Sequence, residues 1–180
     1  MADLPGPPRF DKDDFVLRDR GRKYEDFAVG QTFEHHWGRT VDRSDNVTFC
    51  VSTCTWNPLY LNREHAVALG HPDTPVNPML VVCLVVGLSV EDLSETAGPF
   101  LGMRDCVFER PVYPGDTLTA SSTVLSCRVS SSRPGVGVVE WETTGRNQDG
   151  ETVVRYARSN LVEMRSAATA PVGAESGGIR

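Results

Sequence analysis

The sequence predicts an α+β domain in which a curved antiparallel sheet wraps around one long central helix. Two observations predict this fold. The apolar run from Met79 to Leu88 is about half as long as a bilayer span, and it continues into the amphipathic stretch SVEDLSE. Such a segment is typical of a helix surrounded by protein. From Phe100 onward, long strand-like segments alternate with turns, and consecutive hairpins form an antiparallel meander.

Length and composition limit the classes of protein that the chain can belong to. Its 180 residues, 39% of them apolar, suit one domain with a core of its own and exclude wholesale disorder. The net charge of −6 argues against a nucleic-acid partner or an anionic membrane. The N-terminus lacks the apolar core of a signal peptide, and the five cysteines lie mostly in apolar settings. We therefore expect reduced, buried thiols and a cytoplasmic location.

The chain divides into three parts by composition. Residues 1–22 are rich in Pro, Asp and Arg without a hydrophobic period, which predicts a flexible arm. Residues 23–165 show no change in composition and no internal repeat, which predicts a single domain. Residues 166–180 are small and polar, which predicts a disordered tail.

Capping residues mark three helices. Ser44 precedes DNVTFCVSTC as a predicted N-cap, and Asn62 and Gly70 bracket the short helix REHAVAL. Asn77 and Pro78 precede the long apolar segment, and proline suits the first turn of a helix because the N–H it lacks has no partner there. The many valines make a strand the alternative for this segment, but its length favours a helix.

The second half of the chain contains the strand signals. LGMRDCVFER leads into the turn PVYPGD, and the strands LTASSTVLSCRVS, VGVVEWETTGR and ETVVRYARSNLVEMR follow. The turns between these three strands are SSRPG at 131–135 and NQDG at 147–150. Asp-Gly is a strong hairpin signal because the turn requires positive φ.

Four stretches together resemble the MaoC-like hydratase/dehydratase family. They are YEDFAVGQTF at 24–33, GRTVDRSDNVTF at 38–49, NPLYLN at 57–62 and the run from PVYPGDTL to RNQDGETV at 111–154. The resemblance covers residues 24–164 and implies the hot-dog fold, a curved antiparallel sheet around a central helix. The stretch VNPMLVVCLVVGLSVEDLS and the turn SSRPGVG are most similar to the branch that hydrates itaconyl- and mesaconyl-type thioesters.

The resemblance also implies an activity. Members of this family add water to a 2-enoyl thioester or remove it. An Asp and a His five residues later activate the water, and a backbone N–H at the start of the central helix polarises the carbonyl. In this chain Thr55 stands at the Asp position and Tyr60 at the His position. The family's His-Gly-Met at the helix start reads Asn77-Pro78-Met79, and proline has no N–H to donate.

Seven residues are candidates for the site. Four are candidate catalytic residues, and three are candidates for substrate binding: Thr55, Tyr60, Asn77 and His71, then Asn57, Met79 and Arg133. All but Met79 have a structural alternative: Thr55 and Tyr60 line a pocket, Asn57 and Asn77 fix a turn and a cap, and His71 is a solvated loop residue. Arg133 either meets a phosphate of coenzyme A or phosphopantetheine or is a solvated turn residue.

Other polar residues complete the set of candidates. Arg39, Arg104 and Arg110 are candidates for a substrate carboxylate. His35 and His36 lack a third ligand at metal-binding spacing, so we expect no metal site, and we expect no cofactor beyond the carrier of the thioester.

The leading hypothesis is a hydro-lyase acting on a 2-enoyl or 3-hydroxyacyl thioester, such as one with a short branched or dicarboxylic acyl group. The carrier is coenzyme A or acyl carrier protein. The alternative is a catalytically silent hot-dog subunit that binds acyl thioesters or supports an active partner. Thioesterase chemistry is a further alternative that rests on fold analogy alone. We expect a homodimer or a larger homo-oligomer, because the sheet leaves edge strands that need covering.

Overall fold

The computed structural model describes residues 21–96 and 98–165, so nearly all of the predicted arm and the whole predicted tail lie outside the described residues. The helices are α1 (Arg43–Ser52), α2 (Pro58–Leu61), α3 (Arg63–Ala68) and α4 (Pro78–Leu93). The strands are β1 (Thr32–Glu34), β2 (Arg39–Thr40), β3 (Phe100–Phe108), β4 (Thr117–Val129), β5 (Val136–Arg146) and β6 (Thr152–Glu163). A short 3₁₀ turn at Tyr24–Asp26 precedes β1.

The strands form an antiparallel sheet in the order β1-β4-β5-β6-β3, with β2 beside β4. The predicted meander is confirmed for β4, β5 and β6. β3 does not pair with β4 but lies at the far edge against β6, with Met103 opposite Arg158. The connection at 109–116 contains two prolines, which cannot continue a ladder, and it carries the chain from one side of the sheet to the other.

Helix α4 packs on one face of this sheet, and the predicted central helix is confirmed. Its buried residues include Val81, Val82 and Val85, which meet Leu118 and Tyr156 of the sheet. Gly145 on β5 permits this close approach, because a Cβ there would lie 2.7 Å from a methyl group of Val85.

The opposite face of α4 is open in this chain. Met79, Cys83 and Gly87 are exposed, so the expectation that protein surrounds the helix holds for the sheet side only. The edge strand β3 also exposes Leu101 and Phe108. A single chain therefore leaves apolar side chains uncovered on α4 and on β3.

The helix caps agree with the prediction at two of three positions. Asn62 caps α3 by accepting the N–H of His65, and Gly70 follows the helix with φ +92°. The predicted Ser44 cap of α1 is wrong. The helix begins two residues earlier than predicted, at Arg43, because Asp42 accepts the Ser44 N–H at 2.8 Å and donates its own N–H to the Asp45 carboxylate at 2.9 Å.

The expectation of buried thiols is also wrong for three cysteines. All five are free, and Cys50 is buried, but Cys54, Cys83 and Cys106 are exposed. The reason is their position: Cys83 lies on the open face of α4, and Cys106 lies on the edge strand β3.

Two buried polar clusters fasten α4 to the sheet. His35 lies 2.7 Å from Asp92 and 2.9 Å from the Ser122 hydroxyl. Arg158 donates to Ser89 at 3.0 Å near the C-terminal end of the helix, where the helix dipole favours a cation. Burial lowers the pKa of the Arg158 guanidinium. Among residues 21–96 and 98–165, no group of three or more His, Cys, Asp or Glu side chains is placed to hold a metal ion. None of the helices described is long and apolar enough to cross a bilayer.

Candidate functional site

A cavity of about 220 Å³ lies at the start of α4. The loop before the helix, the first turn of α4, α2 and the segment after β3 form its walls. The lining residues are Leu59, Tyr60, His71, Pro75, Val76, Pro78, Val81, Phe108, Glu109, Arg110, Pro111 and Val112. Most of this wall is apolar, so the few polar side chains in it determine what the cavity binds.

Tyr60 is placed in the cavity by the short helix α2. The Asn57 side chain caps this helix by accepting the Leu59 N–H at 3.0 Å, and Pro58 occupies its first position. The Tyr60 N–H returns to the Asn57 carbonyl at 3.1 Å. Asn57 therefore has the structural role that the sequence left open, and it holds the backbone that directs Tyr60.

Asn46 joins the segments that form the cavity. It lies on α1 and is only 1% exposed. Its amide donates to the Tyr60 carbonyl at 2.9 Å and to the Pro75 carbonyl at 3.3 Å, and its oxygen accepts the Asn77 N–H at 2.8 Å. One buried side chain thus fixes α2, the loop before α4 and the start of α4 relative to each other.

His71 reaches the cavity from the loop after α3. Its Nδ1 lies 2.9 Å from the Tyr113 hydroxyl, and its backbone N–H donates to Ala66. Burial, and then the negative charge of Asp116, raise the pKa of Tyr113, so this phenol stays protonated at neutral pH. When Nδ1–H donates to the Tyr113 oxygen, Nε2 has a free lone pair and acts as a base. When the phenol donates to Nδ1, Nε2 carries the proton.

The first backbone amides of α4 are already occupied. Pro78 has none, and the Met79 N–H donates to the Asn77 side chain at 2.9 Å. The Leu80 and Val81 amides donate to the Asn77 carbonyl at 2.9 and 3.2 Å. Asn77 is therefore a helix cap with its oxygen in use, and the helix start of this chain offers no free N–H to a thioester carbonyl.

The structure brings Tyr60 and His71 together, but it does not place the other candidates in the cavity wall. The Thr55 hydroxyl lies 3.0 Å from that of Thr53, after the left-handed residue Cys54 (φ +55°). Met79 points to the open face of α4 and is 56% exposed.

The remaining candidate, Arg133, is remote from the cavity. It lies in the hairpin between β4 and β5, at the opposite end of β4 from the cavity segment. Its backbone N–H donates to the Ser130 hydroxyl at 3.2 Å, as in a structural turn.

Two charged residues at the rim complete the cavity wall. Arg110 forms an ion pair with Glu151 at 3.3 Å, and Glu109 forms one with Arg155 at 3.6 Å. Arg110 is one of the three arginines predicted for a substrate carboxylate, whereas Glu109, Tyr113 and Asn46 were not predicted from the sequence. For Asn46 a signal exists, because it lies one helical turn before the apolar Cys50 and so on the buried side of α1.

Comparison with known proteins decides the family. A family model described as mesaconyl-CoA hydratase matches residues 10–178. This chain belongs to the mesaconyl-CoA hydratase family. A mesaconyl-CoA hydratase of Haloarcula hispanica is 38% identical over 158 residues, which are 87% of this chain and 44% of the relative.

Two solved structures support the predicted MaoC-like, hot-dog assignment. A MaoC domain protein dehydratase from Chloroflexus aurantiacus has a TM-score of 0.79 and 33% identity, and the match covers 88% of this family member and 45% of that chain. Rv0216 of Mycobacterium tuberculosis, described as a double hotdog fold, has a TM-score of 0.73 at 21% identity and shows the fold alone. The match covers 90% of this chain and 53% of Rv0216. The chain thus spans about half the length of these relatives.

Proposed function

We propose that this chain is a hydro-lyase that acts on a short 2-enoyl-CoA thioester with a branched or dicarboxylic acyl group. The observation that carries the proposal is the family match over residues 10–178, which includes every residue of the cavity. The size of the cavity agrees with a short acyl group, because about 220 Å³ is below the roughly 300–1,000 Å³ of sites for drug-sized ligands.

His71 and Tyr60 supply the chemistry in this proposal. In the hydration direction, His71 Nε2 takes a proton from water as the oxygen attacks C3 of the enoyl group. Electrons move from the double bond toward the thioester carbonyl, and the Tyr60 hydroxyl donates a hydrogen bond to the oxygen where charge develops. The protonated imidazole then returns a proton to C2, so one water is added in all. Tyr60 replaces the donor that the helix start does not offer.

A direct assay tests this function. The purified protein is incubated with mesaconyl-CoA, and mass spectrometry follows the gain of one water. We expect turnover that Tyr60→Phe and His71→Gln each reduce by about 100-fold in kcat, the usual size of an acid–base contribution. His65→Gln is the control, because His65 is exposed on α3 and does not line the cavity. Full turnover by Tyr60→Phe with an intact fold would overturn the assignment of this residue.

A second function, a non-catalytic subunit of a two-domain assembly, is favoured by one specific observation. The amides at the start of α4 are occupied, and Thr55 and Tyr60 stand where the related pattern has Asp and His. In this alternative the chain binds the acyl thioester and a separate hot-dog chain catalyses the reaction. The protein alone then binds the thioester without turnover, and activity appears only when the catalytic chain is added.

We further propose a homodimer or larger homo-oligomer in the cytoplasm. The exposed apolar side chains on α4 and on β3 support an assembly, because exposed apolar faces and strand edges need covering. The five free thiols favour a reducing compartment. Acyl carrier protein remains the alternative carrier, and a parallel assay with the same acyl group on phosphopantetheine-loaded carrier protein compares the two.

A further inference from the structure

We propose that Arg110 binds the free carboxylate of a dicarboxylic acyl group, and that it is the residue of this chain that selects such substrates. The inference rests on the proposed function, since it assumes that the acyl group of the thioester occupies the cavity at the start of α4. Arg110 is the one arginine or lysine among the residues that line this cavity in the described part of the chain.

The other arginines considered for this task are placed elsewhere. Arg39 lies 2.7 Å from Asp45, outside the cavity wall. Arg104 lies between Asp105 and Glu140, and its Nε is 2.8 Å from the Glu140 carboxylate. Glu140 neighbours the core residue Trp141 on β5, so this ion pair lies on the face of the sheet away from α4.

The buried Arg158 is also unsuited to the cavity. Its guanidinium donates to Ser89, in the C-terminal half of α4, whereas the cavity lies at the start of that helix. Of the arginines compared, only Arg110 lines the cavity, where its N–H groups can donate to a bound acyl group.

The surroundings of Arg110 leave its charge available. The side chain is 57% exposed, and Glu151 Oε1 is its acidic partner, at 3.3 Å. A guanidinium has five N–H donors in a planar fork, so it can stay bonded to one carboxylate and donate hydrogen bonds to a second. Pro111 follows directly, and it restricts the backbone conformation of Arg110, which lies two residues after the end of β3.

The composition of the cavity explains why Arg110 would discriminate between acyl groups with and without a free carboxylate. Apolar side chains such as Val76, Val81 and Val112 form much of the wall, and a carboxylate among them is costly unless a cation pairs with it. Glu109, also in the wall, is held by Arg155 and would repel the carboxylate if it turned inward. An acyl group with a methyl in place of the carboxylate has no such requirement and gains nothing from Arg110.

Binding of two saturated thioesters tests the inference without requiring turnover. Methylsuccinyl-CoA, with the thioester on the carboxyl beside the branch, and 2-methylbutyryl-CoA differ only in a carboxylate against a methyl group. Neither can be hydrated, because neither has the double bond. Calorimetry gives Kd for both with the wild-type chain and with Arg110→Gln. We expect Arg110→Gln to raise the Kd for methylsuccinyl-CoA by about 10- to 100-fold, the usual range for a hydrogen bond to a charged group. The Kd for 2-methylbutyryl-CoA should change by less than about twofold.

Two further variants make the comparison specific. Arg39→Gln is the matched control, because this arginine also pairs with a single carboxylate, that of Asp45 at 2.7 Å, but does not line the cavity; both affinities should stay within twofold of wild type. Arg110→Lys keeps the charge without the planar fork and should restore part of the preference.

The opposite results are equally clear. An equal loss of affinity for both thioesters would mean that Arg110 contacts the carrier rather than the acyl group. No loss of affinity in Arg110→Gln, or no preference of the wild-type chain for the diacid thioester, would mean that the carboxylate lies elsewhere. Each of these overturns the inference. Failure of the proposed function is seen separately, as absence of water addition to mesaconyl-CoA by a wild-type chain that still binds the saturated analogues.

Discussion

Asn46 shows how a single buried amide organises the site. Its nitrogen and oxygen join α1 to α2 and to the segment at 75–77, and all three partners are backbone groups. A buried polar group that loses its partner costs about 1–3 kcal/mol, so the amide contributes more through what it satisfies than through its own packing.

We expect Asn46→Ala to lower the free energy of unfolding by about 2–4 kcal/mol, because it leaves the Tyr60 carbonyl and the Asn77 N–H unpaired. Urea denaturation measures the change. Asn57→Ala is the comparison, since it removes an exposed cap and should cost about 1 kcal/mol. If the two variants are equally stable, the Asn46 bonds do not hold the segments together.

At the residue scale, local chemistry was predictable and distant contacts were not. The roles of Asn62, Asn57 and Asn77 as caps follow from their position before a helix, where the side-chain oxygen meets an amide two or three residues on. Tyr113 and His71 meet across 42 positions of sequence, and no spacing rule connects them. The sequence therefore indicated which side chains are polar near the site, but not which of them face the same cavity.

At the scale of elements, two glycines make opposite contributions to α4. Gly145 on β5 lies against Val85, with no room for a Cβ, while Gly87 within α4 has no heavy atom within 4 Å of the Cβ position. The first permits the helix to lie on the sheet, and the second adds only backbone freedom to a helix.

We therefore expect Gly145→Ala to destabilise the chain by about 1–3 kcal/mol through overpacking, and Gly87→Ala to stabilise it by about 0.5–1 kcal/mol through helix propensity. Thermal unfolding followed by circular dichroism compares both with wild type. A stable Gly145→Ala variant would show that α4 can move away from the sheet at little cost.

The strands and hairpins were the most predictable elements. Turn residues at 131–135 and 147–150 mark both ends of β5, and its predicted range agrees with the structure. The place of β3 was not predictable from hairpin logic, because its connection to β4 crosses the sheet rather than turning back. Pairing between β3 and β6 depends on which edge is free after the meander forms, and this is a property of the whole sheet.

For the whole molecule, the exposed apolar side chains on α4 and on the edge strand β3 predict an assembly larger than the 19.7 kDa chain. We expect Leu101→Lys to shift the protein toward monomer, because a lysine on an edge strand opposes pairing with a second strand. Sedimentation or light scattering across a range of concentrations measures this. Val29→Lys, at an exposed apolar position outside α4 and β3, is the control. A wild-type monomer at all concentrations would contradict the assembly.

Carboxylates set the response of the whole molecule to acid. The hydrogen bond from Arg104 lowers the pKa of Glu140, and the Lys23 backbone N–H, followed by Arg165, lowers that of Asp26. A lowered folded-state pKa means that these groups stabilise the fold above the ordinary carboxyl pKa, and that the contribution is lost as pH falls through the folded value.

We expect the free energy of unfolding to be nearly level from pH 7 to about pH 5 and to fall below about pH 4. Urea titrations at each pH measure it, and Glu140→Gln should make the acid decline shallower. A stability that instead rises below pH 4 would show that these carboxylates are protonated more easily in the fold than in the unfolded chain.

The capped start of α4 has an evolutionary consequence. Changing Thr55 and Tyr60 to the Asp and His of the related pattern would leave Pro78 without an amide and the Met79 amide bound to Asn77. A third change, of Pro78 to a residue with an N–H, is needed before the helix start can donate to a thioester carbonyl, and this change leaves the Asn77 cap in place. Asp and His at positions 55 and 60 would therefore supply only the acid–base pair, and the complete site of the related pattern requires three substitutions together.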